Sequence, residues 1–179
     1  VSIEKIKHFV SKEAFNIEGL GKKIVENFWK FNLIKFPQDI FKLDFDKIEN
    51  MDGWGKQSVL NLKYSINLRR DITFEKFIYS LGIRHIGLEN AKLIAKNLKS
   101  IIIDGIGETQ INSIKNFFSN KTNIKVLNEL NESLSIKEAI DKKKNGILSG
   151  KTFMITGKLD GVSRAEIKSL IEEKSGSII

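Results

Sequence analysis

The chain contains no cysteine, one proline and two histidines. Without cysteine there is no disulfide, no thiol nucleophile and no zinc site built on cysteine ligands. His8 and His85 stand far apart in the sequence, and no histidine metal site is expected. No apolar run reaches the roughly 18 residues of a membrane helix, and no secretory leader is visible at the start. Acidic residues are in deficit, 22 against 30 basic, for a net charge of +8. They form no cluster suited to a two-metal nuclease centre. A basic surface favours an anionic partner such as nucleic acid. Lysine far outnumbers arginine, and Ile and Asn are frequent, as an AT-rich genome would produce, so the lysine count itself carries little weight. The 179 residues allow one large domain or two small ones.

What the chain does contain is a repeated turn. Met51-Asp52-Gly53-Trp54-Gly55-Lys56 sets glycine, an apolar residue and glycine ahead of a lysine. The pattern occurs earlier as Ile17-Glu18-Gly19-Leu20-Gly21-Lys22. It returns as Ile83-Arg84-His85-Ile86-Gly87 and as Ile103-Asp104-Gly105-Ile106-Gly107. Glycine tolerates positive φ and lets backbone approach a ligand closely. The second glycine of each turn leads into a helix, whose N-terminal N–H groups and partial positive charge suit a phosphate. The apolar residue between (Leu20, Trp54, Ile86, Ile106) pins the turn to its own helices. This reads as a helix-hairpin-helix that contacts nucleic-acid backbone, which positions a protein without reading sequence.

The rest of the chain supports a helical bundle. Apolar positions 3, 6, 9 and 10 have helical spacing. Ile24, Val25, Phe28 and Trp29 form one face of a helix over about 22–31, and with Phe31 and Phe36 are read as core. Pro37 opens a short helix, Gln38 to Leu43. The helix over 56–70 is expected to carry Val59, Leu60, Leu62 and Ile66 inward and to leave Lys63, Arg69 and Arg70 solvated. Thr73 is a candidate N-cap for a helix with Phe74, Phe77, Ile78 and Leu81. Further helices are expected over 88–98, with Ala91, Ile94, Ala95 and Leu98 as its apolar side, and over 108–118 and 124–130.

From Asn131 the composition turns polar, with Lys142-Lys143-Lys144 and Asn145-Gly146, as in a weak helix plus linker. Lys151 to Thr156 reads as a strand. Ser163 and Glu166 form a capping box for a helix with Ile167, Leu170 and Ile171 on one side. Gly176 is expected to end it, and 177–179 to begin a second strand. The expected domains are 1–130, a linker 131–148 and an α/β start at 149–179, where the chain reads as cut.

The first residues of the glycine-type triplets are Gly19, Gly53, His85 and Gly105, at intervals of 34, 32 and 20. Two hairpins and a connector make a pseudo-symmetric unit, and two units stack. The first has Gln38 to Leu43 as its connector. In the second, Lys99-Ser100 runs straight into Ile101-Ile102-Ile103. About a dozen residues are wanting there, either deleted or missing from the chain as numbered.

With these motifs placed, the chain resembles the C-terminal region of a bacterial NAD-dependent DNA ligase. The likeness rests on Lys7-His8-Phe9-Val10-Ser11 with the first turn. The most specific stretch is Phe77 to Gly87, and Leu148 to Gly157 resembles the first strand of that family's BRCT domain. The resemblance covers nearly the whole chain. It implies a mainly α fold, a tandem (HhH)₂ bundle followed by a truncated α/β BRCT start. It also implies nick sealing in duplex DNA during replication and repair, through an adenylated lysine and adenylated DNA, with NAD, magnesium and zinc in the full-length enzyme and no cofactor in this fragment. The adenylation, nicotinamide-binding, OB-fold and zinc-finger parts are absent, so the fragment alone is expected to be inactive.

The expected partners are duplex DNA, nicked, and other domains of the same ligase chain, in a cytoplasmic, nucleoid-associated monomer. The expected DNA-binding residues are Gly19, Gly21, Lys22 and Lys23 in the first hairpin and Gly53, Gly55, Lys56 and Gln57 in the second. The third offers Arg84, His85 and Gly87, and the fourth Gly105, Gly107 and Thr109. His85 either contacts phosphate or fills the turn. Asp104 and Glu108 repel phosphate at the fourth, which is either structural or binds through Thr109 and backbone. Trp54 is a core plug rather than a base-stacking wedge. Thr156 and Gly157 match a strand end that lines the phosphate pocket of phosphopeptide-binding BRCT domains. Two other functions fit the hairpins: the DNA-binding module of a nuclease or junction-binding repair protein, and a protein-interaction scaffold.

Overall fold

The computed structural model describes residues 2–97, 103–138, 146–156, 167, 170–172 and 174–178. They fall into two contact units, Val1–Ala139 and Ile140–Ile179. The expected connection at 98–102, the lysine run 142–144, Gly157 and the Ser163–Glu166 capping box lie outside the described residues.

The first unit is mainly helical. Its elements are α1 (Ile3–Phe9), α2 (Lys22–Lys30), a 3₁₀ turn (Pro37–Lys42), α3 (Phe45–Glu49), α4 (Lys56–Leu68), β1 (Asp71–Thr73), α5 (Phe74–Ser80), α6 (Leu88–Lys96), α7 (Glu108–Ser119), α8 (Lys121–Ser133) and β2 (Ser135–Lys137). Pro37 occupies the first turn of the connector, where its fixed φ fits and its missing N–H is not wanted. The Asp39 carboxylate accepts from the N–H groups of Lys35 and Phe36, both at 2.8 Å. Asn120 starts α8 by accepting from the N–H groups of Thr122 and Asn123. That cap places the start of α8 three residues before the expected one, and the helix runs three residues past the expected end.

The main core joins Ile6, Phe9, Phe15, Val25, Phe28, Ile40, Leu62, Ile66 and Leu130. Phe9 and Phe15 stack at 4.2 Å. A smaller cluster, Ile78, Ile83, Ile86 and Ala91, holds the third hairpin. His8 ties α1 to α5: its Nε2–H donates to the Tyr79 carbonyl at 2.8 Å, and the two rings meet edge-on.

Several side chains depart from the sequence reading. Leu60 is 58% exposed, because Val59, Leu62 and Ile66 already define the buried stripe of α4 and Leu60 lies about 100° round from Val59. Phe31 is 59% exposed: it stands past the end of α2, where Asn32 (φ 57°) turns the chain away from the core. Arg69 and Arg70 are half-buried rather than solvated. Arg69 Nε donates to the Asn16 carbonyl at 3.2 Å. Arg70 donates to the carbonyls of Phe41 and Ser133 at 2.8 and 2.9 Å and lies over the Phe41 ring.

Thr73 precedes α5, but its hydroxyl makes no capping bond. Instead the backbone around it pairs in parallel with β2, in the register Asp71↔Ser135, Ile72↔Ile136 and Thr73↔Lys137. The bundle therefore takes in residues read from sequence as the start of a linker. Lys137 Nζ meets Asp71 Oδ2 at 2.7 Å across this pair. The lysine, then Ser135, hold the Asp71 carboxyl below its usual range. A depressed carboxylate stabilises the fold above its unfolded pKa, and that contribution is lost as pH falls through the folded value. Asp71→Asn should therefore flatten the acid limb of a urea-stability profile below about pH 5, by no more than about 1 kcal/mol for so exposed a pair.

In the second unit β3 (Thr152–Phe153) pairs in parallel with β4 (Ser177–Ile178). Parallel neighbours need a crossover, and residues 170–172 are helical. Ile171 is buried, but Leu170 is 52% exposed, so the two do not share the inward side. The helix ends with Ser175, not Gly176, in the left-handed region at φ 68°. The N–H of Gly176 bonds the Ile171 carbonyl and that of Ser175 the Glu172 carbonyl, a paired closure typical of helix ends. A Cβ on Gly176 would come within 2.6 Å of Ile171 Cγ2, so glycine is needed there for packing.

Candidate nucleic-acid interface

The four turns share one local geometry. In each, the N–H of the fourth residue bonds the carbonyl of the first: Leu20 to Ile17, Trp54 to Met51, Ile86 to Ile83 and Ile106 to Ile103, at 3.0–3.3 Å. The third residue has positive φ in all four: Gly19 83°, Gly53 80°, His85 63° and Gly105 85°. That is the dihedral a type II turn demands at its third position, and glycine meets it without steric cost. His85 meets it as a non-glycine residue, and Asn90 Nδ2 donates to its carbonyl at 3.1 Å. At Gly53 a Cβ would find open space. The cost of Gly53→Ala is therefore the dihedral alone, about 1–2 kcal/mol, readable as a shift in urea midpoint with unchanged slope.

The second glycines behave differently. Gly21, Gly55, Gly87 and Gly107 are all in extended backbone that any residue adopts, and each is the N-cap of its helix. Their carbonyls accept the first helical bonds, from Val25, Val59, Ala91 and Ile111. A Cβ on Gly21, Gly55 or Gly87 would meet nothing within 4 Å. Neither dihedral nor space inside the molecule requires glycine at these three.

The other α-helices of the first unit follow a residue of N-cap type, Ser2, Asp44, Thr73 or Asn120, although Ser2 and Thr73 make no capping bond. Asp44 and Asn120 use their side chains to bond the first-turn N–H groups. The four hairpin helices have none, so their first-turn N–H groups have no side-chain cap. Such ends carry a partial positive charge and unpaired donors.

Charge grades this arrangement. The first turns of α2 and α4 contain no acid. Lys22, Lys23 and Lys56 are exposed and have no ion-pair partner among the described residues. Gln57 is exposed and bonds Asn61 along the helix. The first turn of α6 holds Glu89, paired to Lys92 at 2.6 Å, and the exposed Arg84 and His85 lie just ahead of it. The first turn of α7 holds Glu108, with the exposed Asp104 in the preceding turn. Thr109 is exposed, and its carbonyl accepts from Ser113 Oγ.

Three of the four inward residues pack into a core cluster, whereas Ile106 is half-buried and belongs to neither. Leu20 and Ile86 are buried in the two clusters. Trp54 packs against the main core with its ring 5.5 Å from that of Phe28, which supports the plug over the stacking wedge. The sequence reading missed the contrast in N-caps. Its signal was present, since helix starts at 3, 45, 74 and 121 each follow Ser, Asp, Thr or Asn.

Turns of one geometry, each feeding a glycine-capped helix, define a tandem helix-hairpin-helix protein. The helix-hairpin-helix motif family matches residues 76–127, covering the third and fourth hairpins. Relatives named DNA ligase match essentially the whole chain. The Pelagibacter ubique protein is 60% identical over 195 aligned positions, covering 100% of this chain and 29% of its own length. The Wolbachia pipientis protein is 43% identical, with 93% and 28% covered. The Rickettsia canadensis protein is 39% identical, with 98% and 30% covered. The chain is homologous over its whole length to these DNA ligases, spans less than a third of their length, and fits the C-terminal region of a bacterial DNA ligase.

Proposed function

We propose that this chain is the non-catalytic DNA-gripping region of an NAD-dependent ligase that seals nicks in duplex DNA during replication and repair. The observation that carries the reading is the N-cap contrast: glycine with no capping side chain at all four hairpin helices, against N-cap-type residues before the other four of the first unit, of which Asp44 and Asn120 close their helix ends with side-chain bonds. A helix end left open at the surface, with no internal need for glycine, suits a phosphate oxygen that supplies the missing acceptor. Lys22, Lys23, Lys56 and Gln57 would add charge and hydrogen bonds at the first two hairpins. Arg84 and His85 would flank the phosphate at Gly87. At Gly105, Gly107 and Thr109 the contact would be through backbone and hydroxyl, against the repulsion of Asp104 and Glu108.

In this reading NAD, magnesium and zinc serve other domains of the whole ligase. The second unit is the start of a BRCT domain, and the protein acts as a monomer on DNA in the cytoplasm. Fluorescence anisotropy with nicked and intact duplex, across a salt series, tests the grip. One phosphate at each of three or four hairpins puts the slope of log K against log salt between about −2.7 and −3.6. Equal affinity for both duplexes would assign nick preference to the other domains. No binding at low salt, or binding indifferent to salt, would sink the reading and favour a scaffold.

A further inference from the structure

A pocket of about 550 Å³ lies between the connector Pro37–Lys42 and α8, a size within the ~300–1,000 Å³ of small-ligand sites. No residue of the four hairpin turns lines it. One lining side chain holds a polar atom with nothing to bond. Gln38 is 4% exposed, and its Oε1 has no hydrogen-bond partner among the described residues. The amide is oriented from its other end. Lys42 and, more weakly, Gln38 hold the Glu129 carboxyl below its usual range, and only the N–H of an amide can donate to a carboxylate. A buried acceptor without a donor is costly, and one kept in a native fold calls for a group that completes it.

Charge in the pocket is one-sided. Lys121, Lys125 and Glu129 are four apart along α8 and so share a face. Both acids of the wall are occupied within the protein. Asp39 accepts from the N–H groups of Lys35 and Phe36, and Glu129 pairs with Lys42 at 2.9 Å. Lys121 and Lys125 are exposed and have no ion-pair partner among the described residues. Phe36, half-buried, adds an aromatic ring to the same wall. An acceptor awaiting a donor, a ring and two unpaired cations therefore stand around one cavity.

We propose that this pocket binds a nucleotide whose base carries an exocyclic amine. The amine donates to Gln38 Oε1, the base lies along the Phe36 ring, and the 5′-phosphate meets Lys121 and Lys125. A base can lie on a side-chain ring only when it is unstacked, so the occupant is a free nucleotide or an unpaired one in a strand. The inference goes beyond the DNA-gripping reading and stands without it, since no hairpin residue takes part.

The test titrates the full chain by calorimetry with deoxyadenosine monophosphate, deoxyinosine monophosphate and deoxyadenosine. Saturable binding of the first is expected, with Kd below about 1 mM. Deoxyinosine monophosphate sets a carbonyl against Oε1 where the amine stood. It should bind more weakly by about tenfold or more, as a site built to hydrogen-bond its ligand rejects one lacking the group. Deoxyadenosine, without the phosphate, should lose as much. Gln38→Leu should erase the first difference, and Lys121→Ala with Lys125→Ala the second, each fold checked by circular dichroism. The lysines are exposed, so their variant keeps the test open if Gln38→Leu does not fold. Displacement of bound deoxyadenosine monophosphate by single-stranded oligo(dA) would support an unpaired strand as the occupant; no displacement by either form of DNA would support the free nucleotide. Equal affinity for the adenine and inosine nucleotides, binding that ignores the lysine pair, or no saturable binding overturns the proposal. So does displacement by intact duplex as strong as that by single strand. Duplex affinity measured alongside separates this outcome from failure of the phosphate grip.

Discussion

Replacing Gly21 and Gly55 together by aspartate is expected to reduce duplex affinity by about a hundredfold or more while leaving the bundle at least as stable. Both positions have extended backbone, and a Cβ at either meets nothing within 4 Å. Aspartate is among the best N-cap residues, better than glycine by a few tenths of a kcal/mol, and its charge gains from the helix dipole. Asp44 already does this in α3, accepting from the Lys47 N–H at 3.2 Å. The same carboxylate would occupy the N–H groups that the phosphate needs and would set negative charge beside them. Losing two phosphate contacts, at about tenfold each or more, gives the expected drop, and the salt slope should fall by about 0.9 for each. Urea titration and anisotropy on one preparation read both quantities. Wild-type DNA affinity in a normally folded double variant would remove these helix ends from the interface. The comparison is cleaner than valine at Gly53, where a φ of 80° would make any loss of binding inseparable from backbone strain.

Arg70→Ala should cost the bundle about 3 kcal/mol. The guanidinium bridges the carbonyls of Phe41, in the connector, and Ser133, at the end of α8, and it lies 5.4 Å from the Phe41 ring centroid. Hydrogen bonds from a charged donor contribute about 1.5–3 kcal/mol, and the stacked ring about 0.5–1 kcal/mol more. Truncation also leaves two partly buried carbonyls without their donor. Arg70→Lys should recover only part of the loss, because an ammonium cannot fork to two carbonyls and stack at once. A urea midpoint within the error of wild type for Arg70→Ala would contradict this account of how the connector, α4 and α8 are held together.

Arg70 also shows where sequence reading ends. The carbonyls it bridges lie 29 and 63 residues away, and its one local bond, to the Asn67 side chain, does not distinguish it from a solvated helix-end arginine. The β1–β2 pair is similar: three residues of each strand meet across more than sixty residues of chain, too short to show an alternating pattern. The hairpins were legible because their chemistry is local. A positive φ selects glycine at the third position of three of the turns, so that part of the geometry is written in residue type. His85 was legible only as an irregularity, and the structure shows it adopting the left-handed dihedral that its glycine counterparts adopt. Apolar spacing placed the helices but overfilled their inner faces: Leu60 and Phe31 are both more than half exposed.

The most direct test of the central claim is a ¹⁵N–¹H NMR titration of this chain with a short duplex. The account predicts that the largest amide shifts fall on residues 22–24 and 56–58, with smaller ones on 88–90 and the least on 108–110. The side-chain-capped starts of α3 and α8, at 45–47 and 121–123, should not move. Silent hairpin amides, with shifts gathered instead at those capped helices, would contradict it.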